Sequence, residues 1–192
     1  MSFETYDLIA DRSADNFSGI KTRLYRVPIA WIDADNFPQT EWEYQQDQTT
    51  PAPVAGDTVK LRGDIVLLNG NTGEGHWQKF DIEINSGNHM FEQVGKYGSA
   101  ELITGIGFKI LGTEEVQVEF AANSVKPIWA YLVESRNGKY VLCGKPGLPA
   151  YCETLTADSG LQAGDENAST YAIKAQHKPL FYSGAIDLTP TA

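Results

Sequence analysis

One stretch of the chain decides the fold: residues 100–144, AELITGIGFKILGTEEVQVEFAANSVKPIWAYLVESRNGKYVLCG. Leu102, Ile106, Phe108 and Ile110 lie at even spacing, which predicts a strand with one buried face. Residues 128–133 are apolar on both alternating faces, which is typical of a strand covered on each side. The stretch therefore predicts a small α+β unit, in which one short helix lies across a sheet.

The helix is predicted over residues 113–124. Thr113 can cap its first turn, where two glutamates carry the charge that the helix dipole favours. Val116 and Phe120 are four residues apart and share one helical face, so we expect this face to pack on the sheet. The residues expected to pack the helix and the following strand into the core are Val116, Phe120, Ile128 and Leu132.

A tight hairpin is predicted after the helix. Asn137-Gly138 is the dipeptide that a type I′ turn favours, because both positions need a positive φ. Residues 140–143 are then the returning strand.

Composition and charge narrow the class of protein. With 192 residues, 42% of them hydrophobic, the chain can bury a sizeable core, and we expect a single domain over residues 1–192. The formal net charge of −10 argues against nonspecific binding to nucleic acid or to an anionic membrane, which requires a basic surface. The first residues have no secretory-signal pattern and no apolar run reaches 18 residues, so we expect no membrane anchor.

A long polar segment interrupts the predicted strands at residues 33–56. It holds five acidic residues, no basic residue and three prolines. Loops of this length are usually mobile or functional. One interpretation is a surface loop. The other is an arm that becomes ordered on a neighbouring subunit, with Phe37, Trp42 and Tyr44 as its aromatic anchors.

The fold class predicted from the whole chain is mainly β. We expect an antiparallel β-sandwich or barrel of about seven to eight strands with one flanking helix at residues 113–124. The candidate strands outside the central stretch lie at residues 19–32, 58–68, 77–84, 151–156 and 170–176.

No pattern in the sequence predicts a catalytic, cofactor-binding or metal site. The three histidines are scattered and lack the spacing of a helical metal site. The glycine-rich residues 70–75 are not followed by a helix, so they do not match a dinucleotide loop. Cys143 and Cys152 lack the spacing of a zinc or redox motif, and we expect two unpaired thiols. We therefore expect no enzymatic activity and no cofactor.

The order of signals from residue 100 onward resembles the tail tube proteins of long-tailed bacteriophages. In that family a strand leads to a short helix, then to a tight hairpin and a closing strand. The resemblance covers roughly the last half of the chain, and residues 33–56 have no counterpart in it. The matching segments are residues 105–112, 113–124, 126–133, 137–144 and 170–173.

The resemblance implies homohexameric rings, in which the sheets of six subunits join into a β-barrel around a lumen. The rings would stack into a conduit for the genome, with other tail or connector proteins as partners. The location would be the virion, assembled in the host cytoplasm. An acidic lumen would let DNA pass without specific binding, because phosphate contacts come from Lys and Arg.

Two other classes of function are open. One is a different virion component of related fold, such as a tail terminator, connector or ring protein. The other is a carbohydrate-binding β-sandwich module that presents Trp31, Trp42 or Trp77 as a sugar platform.

Overall fold

The computed structural model describes residues 19–48, 54, 56–68, 75–96, 99–160, 167–186 and 188. The protein is a β-sandwich of two antiparallel sheets with nine strands among these residues, so the predicted fold class is confirmed. The described residues hold two α-helices, of which the sequence predicted one.

The first sheet has five strands in the order β2-β1-β5-β6-β9. Its central strands belong to the stretch that the sequence singled out, and β1 joins them by pairing with β5. The strands are β1 (Ile20–Pro28), β2 (Gln78–Asp81), β5 (Trp129–Ser135), β6 (Tyr140–Cys143) and β9 (Leu180–Tyr182).

The second sheet has four strands in the order β3-β4-β8-β7, and each pairs with its neighbours in antiparallel register. The strands are β3 (Asn88–Val94), β4 (Glu101–Leu111), β7 (Tyr151–Asp158) and β8 (Ala168–Ala175). The long β4 is an inner strand of this sheet, because it pairs with β3 along one side and with β8 along the other.

The main core lies between the two sheets. Its centre is aromatic: the rings of Phe108 and Tyr171 stack with centroids 4.9 Å apart, and Phe80 packs 5.6 Å from Phe108. Aliphatic side chains from both sheets complete this core, namely Ile20, Leu24, Ile106, Val133, Val141 and Ile173. The alternation predicted for residues 102–110 places Ile106, Phe108 and Ile110 on this face, whereas Leu102 is 42% exposed.

A second core covers the other face of the first sheet. Leu132 is fully buried there, together with Trp77 and Leu61 from the segment between β1 and β2. The two-sided apolar pattern of residues 128–133 has this origin, since both faces of β5 are covered. Residues 58–68 were predicted as a strand, and they instead form an irregular segment with isolated bridges at Lys60, Leu61 and Leu67.

The predicted flanking helix is α2 (Glu115–Ser124). It begins two residues later than predicted, and Thr113 is not its cap: Glu114 occupies the N-cap position without a side-chain hydrogen bond. Phe120 is half-buried and packs against Phe80, with ring centroids 4.9 Å apart.

Two of the predicted core residues lie at the surface. Val116 is 74% exposed and Ile128 is 46% exposed, so these two predictions were wrong. Helix α2 is oriented with Phe120 and Ser124 toward the sheet, and Val116 lies away from it. Ile128 precedes β5, before the point where both faces of the strand are covered.

The hairpin between β5 and β6 differs from the predicted turn. Gly138 has φ +81°, but Asn137 does not have a positive φ, so a type I′ turn is excluded. The Gly138 N–H donates to the Ser135 carbonyl, and the Ser135 N–H donates to the Lys139 carbonyl. This is a three-residue loop in which a left-handed glycine follows a tight turn and forms a bulge.

Candidate functional site

The second sheet is covered on one face only. Its residues alternate between the sandwich core and the opposite face, on which no described helix or strand packs. That opposite face holds small side chains at its centre, such as Gly105, Gly107 and Ala172. Its charged members are Glu92, Glu101, Lys109, Glu153, Asp158 and Lys174.

Strand β3 is one edge of this sheet. Its outer side pairs with no strand among the described residues. Edge strands of isolated proteins are commonly blunted by lysine, proline or short length. Strand β3 has seven residues, no lysine and no proline, and it exposes Phe91 (63%) and Val94 (47%). It therefore lacks the lysine, the proline and the short length that commonly protect an edge.

Strand β7 is the other edge. It has eight residues and likewise no further partner in the described part of the chain. Its register shifts between Cys152 and Thr154, which leaves Glu153 as the extra residue of a bulge.

The two edges run in opposite directions. Each of the three pairings in the sheet is antiparallel, so β3 and β7 are antiparallel to one another. A copy rotated about an axis parallel to the strands would present its β3 antiparallel to the β7 of the first copy. Antiparallel ladders are slightly more stable per residue than parallel ones. The sheet can therefore be continued head to tail without a change in its strand pattern.

An ion-pair network crosses the uncovered face. Lys174 on β8 contacts Glu153 on β7 at 2.8 Å and also contacts Glu92 on β3. The hydrogen bonds that the Lys174 ammonium donates to the carboxylates of Glu153 and Glu92 raise the pKa of Lys174, so its ammonium stays charged. Lys174 reaches across β4 because the intervening residue is Gly105, where an added Cβ would lie 3.2 Å from the Met90 side chain and 3.4 Å from that of Lys174.

A buried arginine fixes α2 on the sandwich. Arg26 is 7% exposed, and its guanidinium lies 3.8 Å from the ring centroid of Phe120 and 4.2 Å from that of Trp129. It donates to the Ser124 hydroxyl at 3.1 Å and to the Gln78 amide oxygen at 3.2 Å. Burial lowers the pKa of Arg26, the shift expected for a desolvated cation. This cluster holds α2 against the first sheet, because Arg26, Gln78 and Trp129 belong to β1, β2 and β5.

The segment predicted as a polar arm contains a helix that sequence reasoning missed. Helix α1 (Glu41–Gln48) begins with a capping box: the Glu43 N–H donates to the Thr40 hydroxyl, and the Thr40 N–H donates to the Glu43 carboxylate at 2.7 Å. The signal was present as Thr-x-x-Glu at residues 40–43. Residues 49–53 and 55 of the segment lie outside the described residues.

The three aromatic residues proposed as anchors lie against the chain's own body. Phe37 is half-buried against the second core. Tyr44 lies under the Arg62 guanidinium, 3.6 Å from the ring centroid, and Trp42 is half-buried. None of the three therefore extends freely from the sandwich.

Two of the three tryptophans proposed as a sugar platform lie against the second core. Trp77 is 1% exposed and Trp31 is half-buried against the same core, so they do not form an exposed aromatic surface.

The described residues contain no group of three or more His, Cys, Asp or Glu placed to hold a metal ion. Both cysteines are free, and burial raises the pKa of the Cys143 thiol, which makes it a poor nucleophile. Most of the glycine-rich residues 70–75 lie outside the described part of the chain. None of the described helices is long and apolar enough to cross a membrane.

His177 has both ring nitrogens committed to the backbone. The Gly144 N–H donates to its Nε2 at 2.9 Å, and its Nδ1–H donates to the Lys178 carbonyl at 2.7 Å. Burial lowers the pKa of His177, and the nearby charge of Lys145 acts in the same direction. A proton on Nε2 would replace the acceptor that Gly144 requires.

We expect this histidine to make stability depend on pH. Its pKa is lower in the folded chain than the unfolded value of about 6.5. Its contribution is therefore fully present above about pH 6.5 and is lost as the pH falls through the folded pKa. Urea unfolding between pH 7.5 and 5.5 should show this decline, and His177→Gln should reduce the slope. An equal slope in both proteins would contradict the assignment.

Comparison of the chain with protein-family models, with curated proteins and with solved structures finds no match.

Proposed function

We propose that the protein is a virion structural protein of a bacteriophage, which forms homohexameric rings that stack into a tail tube. The observation that carries this proposal is the second sheet, with one face uncovered and two open edges that run in opposite directions. In a closed ring both edges of this sheet find a partner, so that β3 and β7 are no longer left unpaired. Six copies is the number that the resemblance to tail tube proteins implies.

The uncovered face would line the lumen, because the sandwich occupies the other side of the sheet. A barrel of six four-stranded sheets has more strands than the barrels of about 16–18 strands that already enclose a water-filled channel. The hole is then wide and needs no side chains to fill it. The small residues at the centre of the face would line the lumen without large protruding side chains.

The charge of this face supports passage of DNA without binding. Four carboxylates and two lysines lie on it, and one of the lysines, Lys174, is paired with two of the carboxylates. Binding to nucleic acid relies on unpaired Lys and Arg at the phosphates, and this face offers an excess of negative charge. The function would be mechanical, without turnover and without a cofactor.

Assembly of the purified chain tests the proposal. Sedimentation velocity over a concentration series should show a species of six chains, or larger multiples of it, in equilibrium with the 21.1 kDa monomer. A head-to-tail interface gives rings when the rotation closes. A chain that sediments as a monomer at the highest concentrations would contradict the proposal, and a single ring that never stacks would favour a terminator or connector instead.

A further inference from the structure

Helix α2 exposes an apolar stripe. Val118, Ala122 and Val125 are spaced by four and three residues, so they lie on one face, and Val118 and Val125 are 58% and 53% exposed. The outward face of a helix on an isolated sandwich is normally polar. The stripe is therefore an apolar surface that is left uncovered in the single chain.

The position of α2 points to what covers it. The helix lies against β7, on the sandwich side of the second sheet. Any strand added to the free edge of β7 would have alternate side chains pointing toward the same side. Those side chains would then lie next to α2.

Strand β3 carries a matching side chain. Phe91 pairs across the sheet with Thr104, whose side chain is buried on the sandwich side, so Phe91 points to that side too. It is 63% exposed. The other β3 side chains on this side, His89 and Gln93, carry no negative charge, whereas Glu92 lies on the opposite face. Contact with α2 would therefore not bury a β3 carboxylate.

We propose that Phe91 of one copy packs on the stripe formed by Val118, Ala122 and Val125 of the next copy. This inference rests on the proposed head-to-tail ring and names its anchor. The ladder between β3 and β7 would supply the backbone contacts, and Phe91 would supply the apolar contact that fixes the register of the two edges.

Disulfide trapping tests the contact. In a Cys152→Ser background, Phe91→Cys is combined in turn with Val118→Cys, Ala122→Cys or Val125→Cys, because a disulfide requires Cα atoms about 4.4–6.8 Å apart and the register selects one of them. At least one pair should give a ladder of cross-linked chains on a non-reducing gel. The matched control combines Phe91→Cys with Leu111→Cys, which is 54% exposed on the uncovered face and should give no ladder.

A single substitution supplies a second readout. Phe91→Ala should leave the melting temperature of the monomer unchanged and raise the concentration needed for assembly by about tenfold, the factor that 1.4 kcal/mol produces. Rings that form normally without any cross-link, with Phe91→Ala assembling like the parent, would overturn the inference and leave the proposed function standing. A parent chain that never assembles would overturn both.

Discussion

Replacing Phe108 by alanine should lower the free energy of unfolding of the monomer by about 3–5 kcal/mol. Phe108 is 1% exposed, and its ring contacts the rings of Phe80 and Tyr171 between the two sheets. The substitution removes a large apolar side chain, leaves a cavity and loses two aromatic pairs, each worth about 0.5–1.5 kcal/mol beyond its buried area. Urea unfolding followed by circular dichroism measures the change.

Phe91→Ala is the matched control for this measurement. The same side chain is removed from the neighbouring strand of the same sheet, but Phe91 is 63% exposed in the single chain. Its loss should change the free energy of unfolding of the monomer by no more than about 0.5 kcal/mol. Equal costs for the two substitutions would show that Phe108 does not lie in the core that we describe.

Proline at the β7 edge should abolish assembly. Successive residues of a strand direct their N–H groups to opposite sides. We therefore compare Thr156→Pro with Ala157→Pro. One of these two substitutions removes an N–H donor that faces β8, and the other removes an N–H donor that faces the open edge. The first should lower the melting temperature. The second should leave the fold intact and prevent the neighbouring β3 from pairing, and sedimentation should then show only monomer.

Thr156→Ala and Ala157→Gly are the controls, because they change the same positions and keep both N–H groups. Both should assemble. The equivalent pair on the other edge, Gln93→Pro and Val94→Pro, repeats the test on β3. On either edge, a proline variant that keeps the parent's melting temperature and still assembles would exclude edge pairing.

The sequence predicted the elements whose burial is regular. Residues 128–133 are apolar on both faces because β5 is covered by a core on each side. The even spacing in β4 matches the burial of Ile106 and Phe108 between the sheets, but not Leu102, which is 42% exposed. Helix α2 was found because its helix-forming residues lie between Gly112 and Pro127. The local sequence pattern was sufficient to predict a strand or helix wherever its faces were covered in a regular way.

The open edge was the part that the pattern did not reveal. Strand β3, NHMFEQV, is not among the strands predicted from the sequence, because an edge strand exposed on both faces lacks the apolar alternation of a buried one. The sequence pattern also placed Val116 and Ile128 in the core, although both are exposed. For Val116 the reason is that the contacts of Arg26 with Phe120 and Ser124 decide which face of α2 meets the sheet. That buried arginine is a tertiary feature with no local signature.

In the proposed assembly, copies of this chain continue one another's second sheet around a hole. Electron microscopy of the purified full-length protein, carried to a resolution that separates strands, tests it most directly. We expect six-fold rings or stacked tubes in which β3 of each copy lies beside β7 of the next, with the uncovered face toward the lumen. Isolated sandwiches, or an assembly in which these two edges stay unpaired, would contradict the account.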